Sequence, residues 1–74
     1  MTPRPIAVER LPIKLSAFLK LAGVVGTGGE AGLLVAEGAV LVNGTPEYRR
    51  GRGLQAGDVV TVADRGRWLV VPAG

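Results

Sequence analysis

Apolar residues recur at helical spacing in two stretches of the chain and in short strand-like runs thereafter. Leu15, Phe18, Leu19 and Ala22 follow the i, i+3, i+4, i+7 pattern of one helical face, and Gly23 can end that helix in a left-handed conformation. The spacing predicts a helix of about two turns. A second helix is predicted to begin at Gly28 and stop at Gly38, with Ala31, Leu34 and Val35 as its buried stripe. It would be roughly ten residues and 15 Å long. Thr27 and Glu30 have capping-box spacing: the threonine oxygen can accept the Glu30 amide while the Glu30 carboxylate returns to the Thr27 amide. Gly28, Gly29 and Gly32 weaken this helix by up to about 1 kcal/mol each where they are interior, so packing against the first helix must compensate.

After residue 38 the pattern changes to short apolar runs separated by turn residues. Ala39-Val40-Leu41-Val42 reads as a strand and Asn43-Gly44 as a type I′ hairpin turn. The returning strand is expected near Thr45 or Glu47, with Pro46 at an edge. Residues 49–55 are too glycine-rich and charged for a regular buried element. Ala56-Gly57-Asp58 turns the chain into Val59-Val60-Thr61-Val62, and Asp64-Arg65-Gly66 joins that strand to Trp68-Leu69-Val70-Val71. Residues 1–12 carry three prolines and read as an irregular arm or an edge strand around Ile6-Ala7-Val8, leaving residues 13–74 as a single domain. No strand-helix-strand crossover follows residue 38, so a parallel sheet is not expected. The fold class is α+β: two short N-terminal helices packed on a small twisted, mainly antiparallel sheet of about four to five strands.

Composition narrows the chemistry. A chain of 74 residues buries only about 60–65% of the surface it exposes when unfolded, so its core must be small. Cysteine and histidine are both absent, which removes disulfides, thiolate chemistry and the usual zinc ligands. Asp58 and Asp64 sit in turn signatures, and Ser16 and Thr27 have local capping roles. No catalytic residue, metal site or cofactor is expected. No apolar run approaches the roughly 20 residues that span a bilayer, and prolines and charges interrupt the first twelve, so a cytoplasmic setting is expected without membrane contact.

The net charge of +3 becomes informative through its placement, because residues 49–67 hold five arginines against two aspartates. Arg49, Arg50 and Arg52 are the strongest signal: Gly51 lets them converge, and their planar forks suit phosphates and exposed bases. An Arg–Glu47 pair in a solvated loop is the competing reading. Gly28 and Gly29 add little bulk beside Thr27 at a helix start, where free amides and the helix dipole favour a phosphate oxygen. Without a following Gly-Lys-Ser/Thr, these glycines do not make a nucleotide-hydrolysis loop. Lys20 lies off the apolar stripe and can reach toward the same ligand. Lys14, Tyr48, Arg65 and Arg67 are peripheral candidates. Tyr48 is a better stacking residue than Trp68, which can equally shield a core. Arg4 lies in the proline-punctuated arm, whose sequence gives it no firm geometric connection to this site.

The combination Glu30-Ala31, Glu37-Gly38, Val42-Asn43-Gly44 and Gly57-Asp58, set within residues 15–58, resembles the S4-type RNA-binding domain with its alpha-L motif. Phe18-Leu19-Lys20-Leu21-Ala22-Gly23, Gly28-Gly29-Glu30-Ala31 and Arg49-Arg50-Gly51-Arg52 are more closely similar to the small stand-alone bacterial members, the YbcJ/YaaA-like group. The resemblance implies non-catalytic binding of structured RNA, ribosomal or transfer RNA, with ribosomal or ribosome-assembly partners. This chain has Gly28 and Gly29 where ribosomal-type members commonly carry a serine-arginine pair, and Gly32 where a basic residue often stands. Those differences imply either weaker RNA affinity or a shift of contacts from side chains toward exposed amides. The alternative is a protein-interaction adaptor whose arginines meet an acidic protein partner.

Overall fold

A strand opens the fold in the computed structural model, which describes residues 2–74. The order is β1 (Arg4–Val8), β2 (Ile13–Lys14), α1 (Leu15–Leu21), α2 (Gly28–Ala36), β3 (Val40–Val42), β4 (Thr45–Pro46), β5 (Gly53–Leu54), β6 (Val59–Val62) and β7 (Gly66–Pro72). The α+β class stands, but the helices are preceded by two strands and so are not the first elements.

Both helices stop where glycine permits a left-handed residue. After α1, the Gly23 and Val24 amides donate to the Lys20 and Leu19 carbonyls; after α2, Gly38 and Ala39 donate to Val35 and Leu34. Gly23 and Gly38 both sit at φ +76°. Each end is therefore a Schellman motif, which satisfies carbonyls that the helix itself leaves open. The buried residues of α1 are Leu15, Phe18 and Leu19, and those of α2 are Ala31 and Val35.

The main sheet has five strands in the order β1-β7-β6-β3-β4, and β2 pairs with β5 in a separate two-stranded ladder. Alternation places Val40, Val42, Val60, Val62, Trp68 and Val70 on the buried face, where with Leu15, Phe18 and Leu19 they form one core. Trp68 is only 9% exposed. Its ring belongs to the core, not to a stacking surface.

Two sequence expectations are corrected. The sheet is mixed: β1 runs parallel to β7, with Arg4 opposite Trp68 and Val8 opposite Pro72, while its other pairs are antiparallel. A parallel pair needs a long crossover. Here everything from β2 to β6 supplies it, and that crossover begins well before residue 38. Second, residues 49–55 contain the strand β5, in which Leu54 is fully buried opposite Ile13. A single apolar residue in a charged run has no periodicity to announce it.

The Asn43-Gly44 turn has the positive φ values, 52° and 84°, of a type I′ hairpin. Asn43 also reaches across the sequence: its Nδ2 donates to Asp58 Oδ1 at 3.0 Å and its Oδ1 accepts the Val59 amide at 2.9 Å. Asp58 Oδ2 accepts the Gln55 amide at 2.8 Å. The Asn-Gly and Gly-Asp signatures thus meet as one structural lock.

Candidate functional site

The start of α2 is capped on one side and open on the other. Thr27 is extended (φ −137°, ψ 160°) and its Oγ1 accepts the Glu30 amide at 3.1 Å. The Glu30 carboxylate returns to the Gly26 amide at 3.2 Å, one residue earlier than a capping box requires, because the bend at residue 26 turns that amide toward the helix. The amides of Gly28 and Gly29 have no acceptor among the described residues. A Cβ at Gly28 would meet nothing within 4 Å. The positive end of the helix therefore keeps two donors without an acceptor among the described residues.

The arginine segment is organised by Glu47. Glu47 is 8% exposed, and its Oε2 accepts the amides of Tyr48 and Arg49, both at 3.0 Å, and Arg49 Nε at 3.2 Å. Its Oε1 accepts Arg49 Nη2 at 3.3 Å and Arg52 Nη1 at 3.1 Å. The side chain of Arg49 remains 77% exposed and that of Arg52 32%, so both guanidinium groups keep donors turned outward. The competing sequence reading, an Arg–Glu47 pair, is thus realised as a bridge to two arginines. Glu47 therefore anchors the loop, a role residue spacing alone did not assign it.

The hydrogen bonds from Arg49, with help from Arg52, hold the Glu47 carboxyl down to about 2 from its ordinary 4.5. The unfolded chain restores the ordinary carboxyl, which takes up a proton at higher pH than the folded one. Stability contributed by this network is therefore complete above about pH 4.5 and is lost as the pH falls toward 2. Glu47→Gln is expected to lower the thermal midpoint at neutral pH. The gap between the two proteins should close across that acidic window in melts recorded at successive pH values.

The segment after Glu47 runs alongside α2. A Cβ at Gly38 would lie 3.2 Å from the Tyr48 hydroxyl, and one at Gly32 would lie 3.2 Å from Arg50 Nη1 and 3.6 Å from its Cδ. Tyr48 thus covers the C-terminal end of the helix and Arg50 crosses its middle. Gly28 is one turn further toward the N-terminus on the face that holds Gly32. The backbone is fixed as well, since the Arg52 and Arg50 carbonyls accept the Leu15 and Ser16 amides at the start of α1, at 2.8 and 2.9 Å. Arg50 consequently lies over the face of α2 that Gly28 shares with Gly32.

Gly32 is where stability and site geometry compete. Alanine there is expected to stabilise the protein by up to about 1 kcal/mol through helix propensity. The new methyl group would push the exposed Arg50 guanidinium away from the helix by a few tenths of an ångström or more. A raised urea midpoint combined with weaker anion binding is the expected outcome.

The remaining candidates are dispersed. Lys20 is exposed in the last turn of α1, at the opposite end from the Arg50 and Arg52 carbonyls, and Lys14 occupies the N-cap of α1 without a side-chain capping bond. Neither forms an ion pair with the described residues. Arg65 donates from Nη1 to the Val24 carbonyl at 2.8 Å, tying the β6–β7 turn to the loop before α2. Arg67 is exposed opposite Thr61. Among the described residues no cluster of acidic, histidine or cysteine side chains is suited to a metal, and no helix is long and apolar enough to cross a membrane.

Comparison with known proteins adds three findings. The sequence model of the S4 domain matches residues 6–71. The chain is 46% identical over 67 residues to the probable ribosome maturation protein RlbA of Bacillus subtilis (strain 168), a match covering 90% of this chain and 94% of that one. It also resembles YbcJ from E. coli, whose solution structure revealed an alpha-L motif involved in RNA binding. That similarity has a TM-score of 0.71 at 30% identity and covers 96% of this chain and 90% of YbcJ.

Proposed function

Because the chain belongs to the S4 domain family, we propose that it binds structured RNA without catalysing a reaction, as a factor acting on ribosomal or transfer RNA in the cytoplasm. The observation that carries this reading is Arg50 crossing α2 at Gly32, one turn from the open Gly28 and Gly29 amides. A phosphate oxygen at the helix start would accept from those amides in the favourable field of the helix. Arg50 would hold the same or the neighbouring phosphate through its fork, and Arg49 and Arg52 would extend the basic track with donors that Glu47 leaves unused.

Such contacts read shape more than base sequence. Tyr48, 64% exposed beside this track, offers a ring on which an unpaired base can stack. Glu30 and Glu47 oppose the anion by their charge, but both are held in hydrogen bonds that give them structural work. Kinship with a probable ribosome maturation protein supports a role in ribosome assembly. The test is crosslinking in cells followed by sequencing of the attached RNA. Recovery of discrete ribosomal or transfer RNA segments is expected. Association with an acidic protein that survives nuclease treatment, with no RNA recovered, would replace this reading by the adaptor.

A further inference from the structure

A second basic site lies at the other end of the β6–β7 hairpin's reach, where β1 meets β7. An open cleft of about 300 Å³ is lined by Thr2, Arg4, Arg65, Gly66, Arg67 and Trp68. The parallel register puts Arg4 opposite Trp68, and the hairpin turn brings in Arg65 and Arg67 from the other side. Gly66, at φ +138°, adds no side chain there; a Cβ would stand 3.5 Å from the Trp68 ring. Among the described residues no carboxylate lines the cleft. Asp64, from the same turn, lines the neighbouring depression over Thr61 and Ala63. Three arginines among the residues that line one concavity raise the positive potential there.

We propose that this cleft receives a second backbone phosphate of the same RNA; the inference rests on the RNA-binding reading and extends it. Arg65 supplies the connection. Its bond to Val24 fixes the cleft against the loop that leads, three residues later, to the Thr27 cap of α2. The cleft and the start of α2 are thus joined through one short loop. Planar forks around a polar opening fit a phosphate's several oxygens.

The test uses the full chain, labelled with ¹⁵N and titrated with a 20-nucleotide RNA stem-loop. Trp68 is the sole tryptophan, so its indole signal is assigned without ambiguity. Expected are shifts of the Trp68 indole and Gly66 amide together with those of Gly28 and Gly29. Arg4→Gln, which leaves the Arg65–Val24 bond in place, should lower the magnitude of the slope of log affinity against log salt by about 0.7–0.9. That corresponds to roughly four- to fivefold weaker binding near 0.15 M salt. Movement at Gly28 and Gly29 with a silent cleft and an unchanged Arg4→Gln slope would overturn the second site alone. Silence at both places would overturn the RNA reading with it. A cleft that responds to a polyglutamate peptide and not to RNA would assign it to an acidic protein.

Discussion

Alanine at both Arg49 and Arg50 is expected to weaken binding to a structured RNA by about 15- to 30-fold near 0.15 M salt while leaving the fold intact. Two lost phosphate contacts lower the magnitude of the salt slope by about 1.4–1.8, depending on whether the RNA behaves as a single or a double strand. The fold should survive because both side chains are exposed and the carbonyls that cap α1 belong to the backbone. Arg52 also remains to pair with Glu47. The single variants should rank: Arg50→Ala costs more than Arg49→Ala, since Glu47 already neutralises part of the Arg49 charge. An unchanged affinity and slope across a salt titration would eliminate this arginine surface.

The largest effect on stability is expected from Leu54→Ala. Truncating a fully buried leucine costs about 2–5 kcal/mol. The whole domain, at 74 residues, has only about 4–11 kcal/mol to lose. The consequence extends to the site, because Leu54 pairs with Ile13 two residues after Arg52, whose carbonyl holds the Leu15 amide. Losing that anchor releases the arginine loop from α1. The exposed neighbour is the control: Gln55→Ala should change stability by no more than about 0.5 kcal/mol. Equal urea midpoints for the two variants would show that β5 contributes nothing to the core.

Much of this architecture was legible because its signals are local. The Thr27 cap, the glycine stops, the Asn43-Gly44 turn and the Val59–Val62 strand each depend on residues within a few positions of one another. The parts that were not legible depend on distant partners. Nothing near Arg4 indicates that residue 68 will lie beside it, and the two-residue strands β2 and β5 exist only because each finds the other. At the site, the glycine-flanked helix start and the arginine cluster stood out in the sequence. That Arg50 would lie over Gly32 while Glu47 holds Arg49 and Arg52 required the fold. A carboxylate two and five residues before arginines was a visible hint to the second arrangement.

The parallel pairing of β1 with β7 also sets a schedule. Residues 4–8 are synthesised well before their partners, residues 68–72. At about 5–20 residues per second, the first strand waits several seconds for its neighbour to be translated, and the exit tunnel delays the meeting further. The helices and the β3–β4 hairpin join segments close in sequence and can form in the meantime. During that interval β1 is an unpaired strand, and Pro3 and Pro5, which lack amide hydrogens, make it a poor template for another chain. Completing the sheet is therefore a late act of folding, and the cleft that includes Arg4 is finished only when the two ends of the domain close on each other.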